Sequence, residues 1–284
     1  MKPPMVKKTG GDEVRTALKT LFYADAGWGK TTQAVFMEKR YGKALILSGE
    51  AGLMSIANHD MDYIPFSTWK EEPKEGTYSL YELQKYVSSE EFLKTDYKVI
   101  VLDSLTEAAS LITAEVRRTH NNNPNPVMWG DIKSGIIGLV KAIRDLPVHV
   151  LVTSLRISNT DENTGATHYE PACGGAGTRV EVMGVFDFVF GGTKMPVPYK
   201  DNATGKSVTM SVRHVIADEF NGWKCKAREP LTLGKRRRIR ASTRTGDITE
   251  LFSDLEMSNE DWEKKLAAQA KQQEQNQQQQ GATK

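Results

Sequence analysis

A lysine and two threonines, Lys30-Thr31-Thr32, follow the glycine-rich turn Ala26-Gly27-Trp28-Gly29 at the end of the apolar run Leu21-Phe22-Tyr23-Ala24. That order of residue types suits phosphate chemistry. Gly27 and Gly29 permit backbone conformations that a side chain would forbid, so successive N–H groups can converge on phosphate oxygens. A helix opening at Thr31 adds partial positive charge at the same place. Lys30 would reach the β- and γ-phosphates, and the Thr31 hydroxyl would sit on Mg²⁺. The P-loop pattern G-x-x-x-x-G-K-[ST] has Ala24 where it asks for glycine. The Gly-Lys-Thr end carries the phosphate contacts, so a methyl at the first position is a mild departure. Nucleotide contacts are expected from Ala26, Gly27, Trp28, Gly29, Lys30, Thr31 and Thr32, with ATP and Mg²⁺ as the cofactors.

Two carboxylates extend the constellation. Asp103 ends the apolar run Val99-Ile100-Val101-Leu102, the form in which a strand delivers a magnesium ligand beside a P-loop. An aspartate there also suits a helix cap, and the preceding P-loop favours the metal role. Glu50 follows a second apolar run, Ala44-Leu45-Ile46-Leu47. A carboxylate at the end of a neighbouring strand is well placed to orient water in line with a γ-phosphate; the alternative is an exposed glutamate in a turn.

These residues need a scaffold that brings strand ends together. Apolar runs at 17–24, 44–47, 63–68, 97–103, 148–154 and 185–190 alternate with segments of helical periodicity at 31–39, 80–93, 107–118 and 131–144. Such alternation predicts an α/β fold with a mostly parallel central sheet and helices on both faces. Residues 207–216 and 223–227 around Asn221-Gly222 read as a C-terminal β-hairpin. Residues His120–Pro126 must be loop, Ser158–Gly165 reads as a polar loop and Pro171–Gly177 is Gly-rich. The division expected is an N-terminal arm over 1–15, a core over 16–252, and an acidic then Gln-rich tail over 253–284 that is largely disordered.

The 284 residues carry a formal charge of +2 and two cysteines far apart. That pattern gives neither a disulfide framework nor a metal motif and suits a reducing cytoplasm. No apolar run approaches membrane-span length. The basic run that includes Arg236, Arg237 and Arg238 suits either a phosphate-backbone patch or a solvated face. On a strand, Lys226 and Arg228 would share one face.

The P-loop, then Ser48-Gly49-Glu50-Ala51-Gly52-Leu53, then Val99-Ile100-Val101-Leu102-Asp103-Ser104, together resemble the RecA core over roughly residues 15–230. Within it the chain looks most like compact phage-encoded ATPases of recombination and single-strand annealing. The resemblance implies that Glu50 is the catalytic base. It also implies that Lys226 and Arg228 reach the γ-phosphate of a neighbouring subunit, so that copies of the chain form a filament or ring. Two loops would then touch single-stranded DNA. The first would be His120–Gly130, with Arg118 just before it and His120 and Trp129 within it; the second would be Arg156–Gly177, with His168 within it and Arg156 and Arg179 bordering it. A Gln that couples the γ-phosphate to DNA in RecA is replaced by Ser154. A single-strand-binding protein is a further partner implied, and DNA-stimulated ATP hydrolysis promoting annealing or strand exchange is the function implied; the alternatives are a RecA-core helicase or translocase motor and an ATP-dependent assembly switch that does not bind DNA.

Overall fold

Alternate residues of the apolar runs point to opposite faces of a sheet, and a run that is apolar throughout must be covered on both. The computed structural model, which describes residues 17–50, 52–200, 207–229, 239, 242–243, 245–258, 260–269 and 271, has this architecture. Its strands are β1 (Lys19–Ala24), β2 (Ala44–Ser48), β3 (Asp62–Thr68), β4 (Tyr78–Ser79), β5 (Val99–Asp103), β6 (His149–Thr160), β7 (Thr167–Pro171), β8 (Phe188–Lys200), β9 (Ser207–Ile216), β10 (Lys226–Ala227) and β11 (Ser242–Thr243). The helices are α1 (Thr32–Tyr41), α2 (Leu80–Val87), α3 (Glu90–Leu93), α4 (Leu105–Thr119), α5 (Pro126–Arg144) and α6 (Ala176–Val185).

The sheet runs β11-β9-β8-β1-β6-β5-β2-β3-β4, with β10 paired to β8 and β7 to β6. The strands from β8 to β4 are mutually parallel, and β9, β10, β11 and β7 pair antiparallel. The expected α/β class with a C-terminal antiparallel hairpin is therefore present. Leu21, Tyr23, Leu45, Leu47, Ile100, Leu102, Val150 and Val152 pack on one face beneath residues of α2, α4, α5 and α6. Their neighbours Phe22, Ala24, Ala44, Ile46, Val99, Val101 and Leu151 pack on the other, under α1 and under Ile248, Leu251 and Phe252.

Four local expectations are corrected. The hairpin partner of β9 is β8, in register from Gly191↔Ile216 to Lys200↔Ser207. The Asn221-Gly222 turn exists, with both residues at positive φ, but β10 after it pairs with β8. The second polar loop is largely a β-arm, since β6 continues past the sheet and pairs with β7 from Arg156↔Pro171 to Thr160↔Thr167. The first loop is shorter than expected, because Asn125 caps α5 by accepting from Met128 N at 2.9 Å and Pro126 opens the helix. Trp129 and Gly130 are therefore helical.

The core also extends past residue 252. Trp262 is buried in a helical stretch, residues 260–269. Glu256 accepts from Arg40 and from the Tyr41 hydroxyl, each at 2.6 Å, fastening this segment to the end of α1. The arm 1–15 and the Gln-rich residues 272–284 lie outside the described residues.

Candidate functional site

The turn after β1 folds as the glycines dictate. Gly27 has φ +68° and Gly29 φ +105°, both left-handed, where a side chain is strained. Trp28 between them points inward and is fully buried. Its Nε1 donates to Thr193 O at 2.8 Å, and its ring packs 4.8 Å from Phe22. Gly192 makes room for it, since a methyl there would lie 2.8 Å from the Trp28 ring. The expectation that Trp28 contacts nucleotide is corrected for its side chain, which instead anchors the loop to β8. Trp28→Ala is expected to cost about 3–5 kcal/mol of stability, read from denaturant unfolding. A loss below about 1 kcal/mol would mean that the loop does not depend on this anchor.

Among the described residues the N–H groups of Gly27, Gly29, Lys30 and Thr31 donate to nothing. Such orphan donors at a helix start are the donor set that binds phosphate. Lys30 is buried, and its Nζ donates to Asp25 O at 3.3 Å. Burial lowers its pKa from the ordinary lysine value, against the raising influence of Glu50, Asp103 and Asp25.

Asp103 reaches this loop although β6 separates β5 from β1. Its Oδ2 accepts from Thr31 Oγ1 at 2.7 Å and its Oδ1 accepts from Thr153 Oγ1. Asp103 does not cap α4. Ser104 does, accepting from Glu107 N at 3.3 Å. The same Ser104 hydroxyl donates to Glu50 Oε1. Gly49 permits the approach: its N–H donates to Asp103 O at 2.8 Å, and a methyl on it would fall 2.4 Å from Phe66. Lys30, Thr31, Glu50 and Asp103 thus converge from three strand ends.

This donor set fits a magnesium nucleotide. A threonine hydroxyl and a single carboxylate are hard oxygen ligands, and Mg²⁺ in such sites takes its remaining ligands from water and phosphate. Thr31 and Asp103 would hold the ion, which would neutralise charge between the β- and γ-phosphates. Ala26 precedes the loop glycines and Thr32 opens α1.

The expected DNA residues divide. Trp129 is exposed, with the Arg117 guanidinium 5.4 Å from its ring centre. Arg118 pairs with Glu71 at the surface, and His120 with Asp131 at 2.9 Å. Arg156 is not a free arginine. Its Nε donates to Asp25 Oδ1 at 2.8 Å, and its guanidinium stacks 4.5 Å from the Tyr169 ring, bracing the β6–β7 arm against the P-loop. Arg179 is corrected outright. It is buried and donates to Glu170 at 2.6 Å and to Gly174 O at 2.8 Å, so it cannot meet a DNA phosphate. His168 sits opposite Asn159 on β7, with Nδ1 buried. Arg236, Arg237 and Arg238 lie outside the described residues. Lys226 and Arg228 stand at the end of the sheet opposite the P-loop, each donating to Gly184 O, with Arg228 also paired to Asp187 at 3.1 Å. Sequence reading missed Arg117, Thr153 and Ser104. Each adjoins a residue named from the sequence, Arg118, Ser154 and Asp103, which was the available signal.

A P-loop at the end of β1, a carboxylate on its Thr31 from β5, and a mostly parallel sheet between helices define a P-loop nucleoside triphosphatase. A family model described as an AAA domain matches residues 16–218, and the chain belongs to that family. Membership carries ATP binding and hydrolysis. No curated protein matches the chain. No helix among the described residues is long and apolar enough to cross a membrane.

Proposed function

We propose that this ATPase assembles with copies of itself on single-stranded DNA and promotes annealing or strand exchange, of the kind phage recombination uses. The observation that carries the reading is a groove beside the nucleotide site. It has a volume of about 420 Å³ and is lined by Thr106, Ser110, Thr113 and Arg117 along α4, with Ile157 and Gly174 on the opposite side. Thr106 joins it to β6 at Ser154, 3.1 Å between hydroxyls. Arg117 and the exposed Trp129 offer the two contacts a single strand uses, a phosphate partner and a stacking face. In this reading Glu50 orients the attacking water.

Self-assembly has its own support. The β8–β9 hairpin carries an apolar stripe on one face, through the direct pairs Met195↔Val212, Val197↔Met210 and Tyr199↔Val208. Tyr199, Val208 and Met210 are exposed. Lys226 and Arg228 stand at the far end of the sheet from their own chain's P-loop, so a contribution from them to hydrolysis would be made at a neighbour's site. A single-strand-binding protein is a natural partner on the same DNA.

The test is the ATPase rate with and without single-stranded DNA, together with binding across a salt series. Affinity should fall steeply as salt rises, because phosphate contacts release counterions. Trp129→Ala should cost about 1–3 kcal/mol of binding. No binding at low salt with ATP present would remove DNA from the proposal and leave an ATP-dependent assembly switch. ATP-driven unwinding or translocation would favour a motor instead.

A further inference from the structure

Gly29 of the phosphate loop lies against a guanidinium that arrives from late in the chain. A methyl built on Gly29 would sit 3.6 Å from Arg213 Cζ, 3.8 Å from its Nε and 3.7 Å from Thr32 Oγ1. Arg213 stands on β9 opposite Lys194. Its stem passes over Gly246, where a methyl would lie 3.2 Å from its Cβ and 3.4 Å from its Cδ. The turn that contains Gly246 is itself fixed to the P-loop. The buried Gln33 donates to Gly29 O at 3.2 Å and to Gly246 O at 2.9 Å, and accepts from Ile248 N at 3.0 Å. Arg213 is exposed and has no hydrogen-bond or ion-pair partner among the described residues. A charged fork is thus held at a loop of orphan N–H groups, with nothing among the described residues to neutralise it.

The two flanks of the loop differ chemically. On one, Thr31 Oγ1 bonds Asp103 and would lie 3.3 Å from a methyl on Gly52, close to Lys30 and Glu50. That flank holds the magnesium ligands and the lysine, so it takes the terminal phosphates. Arg213 and Thr32 stand on the other flank, where a polyphosphate laid along the loop presents its nucleoside end. We propose that Arg213 binds the α-phosphate of the nucleotide held by its own chain's P-loop. The guanidinium would offer two parallel N–H donors to that phosphate, a geometry lysine cannot copy. The antiparallel hairpin is then a wall of the nucleotide site as well as an extension of the sheet.

The proposal rests on the nucleotide assignment of the loop, and the test separates the two. Affinities of fluorescent ADP and of a non-hydrolysable ATP analogue are measured for the wild type, Lys30→Ala, Arg213→Ala and Arg213→Lys. ADP and ATP share the α-phosphate, so Arg213→Ala should weaken both by the same factor, about 10–100-fold, the range for hydrogen bonds to a charged group. Arg213→Lys should recover only part of the loss. Because Arg213 is exposed, the variant should melt as the wild type does without nucleotide, and Arg213→Gln provides a second variant of similar size. Loss confined to the ATP analogue would place the guanidinium at the γ-phosphate and overturn the proposal. So would unchanged affinity for both nucleotides where Lys30→Ala abolishes binding. A wild type that binds neither nucleotide would overturn the P-loop assignment, and this proposal with it.

Discussion

Lys30→Ala is expected to abolish nucleotide turnover and leave the fold intact. The ammonium is buried within the electrostatic reach of Glu50, Asp103 and Asp25, yet it makes no ion pair among the described residues, only a 3.3 Å bond to Asp25 O. Burial outweighs the three carboxylates and holds its pKa below the ordinary lysine value. With the folded pKa below the unfolded one, the unfolded chain binds more protons between the two values. Stability therefore rises with pH through that window, and the charged lysine costs folding free energy at neutral pH. A charge kept at such a cost suits a polyanionic ligand. Removing it should reduce turnover by at least about 10²–10³-fold, as loss of a preorganised charge partner does in comparable sites. Lys30→Met, which keeps the bulk, should melt no lower than the wild type. Turnover at the wild-type level in either variant would refute the nucleotide assignment of the loop.

The parts of this site that were legible in the sequence are those whose chemistry is local. Gly27, Gly29, Lys30 and Thr31 are contiguous, and both glycines occupy the positive-φ positions their type suggested. Asp103 was legible because a fully apolar strand ending in a carboxylate is an unusual pattern, and the register of β1, β6 and β5 then carries it to Thr31. Trp28 was misread for a reason of direction. The spacing places its backbone in the loop but does not say that its ring turns inward onto Phe22.

Pairing was not legible. Ser207–Ile216 alternates as a strand should, but alternation does not name the partner, and Pro196 and Pro198 argue against a strand over 188–200. They are tolerated because they lie two residues apart, so their missing N–H groups fall on the same side of β8. Beyond Gly192, where pairing with β1 ends, that side has no neighbouring strand among the described residues, while the other side pairs with β9. The resemblance to RecA implies that Arg156 and Arg179 border a loop that touches DNA. The polar residues around them in fact build an arm, with Tyr169 beneath Arg156 and Glu170 beside Arg179. Arg213 gave no local signal at all: only the fold of β8 and β9 brings it to Gly29.

Glu50→Gln should uncouple binding from hydrolysis. The glutamine retains an oxygen that can accept from Ser104 Oγ, as Glu50 Oε1 does, and the Gly49–Asp103 backbone bond is untouched. The position of the side chain is therefore expected to persist. Thr31, Asp103 and Lys30 remain in place, so the affinity for ATP should stay within a few-fold of the wild type. What is lost is the carboxylate charge and its ability to take a proton from water. General-base catalysis of this kind contributes about 10²–10⁴-fold, and the rate should fall by that factor, with unhydrolysed ATP accumulating on the protein in a single-turnover experiment. Ser104→Ala provides the structural control. It removes the hydroxyl that orients Glu50 and also the cap of α4, so it should lower the rate by a smaller factor and cost about 1 kcal/mol of stability. Normal hydrolysis by Glu50→Gln would assign the water to another group and leave Glu50 as a turn residue held by Ser104.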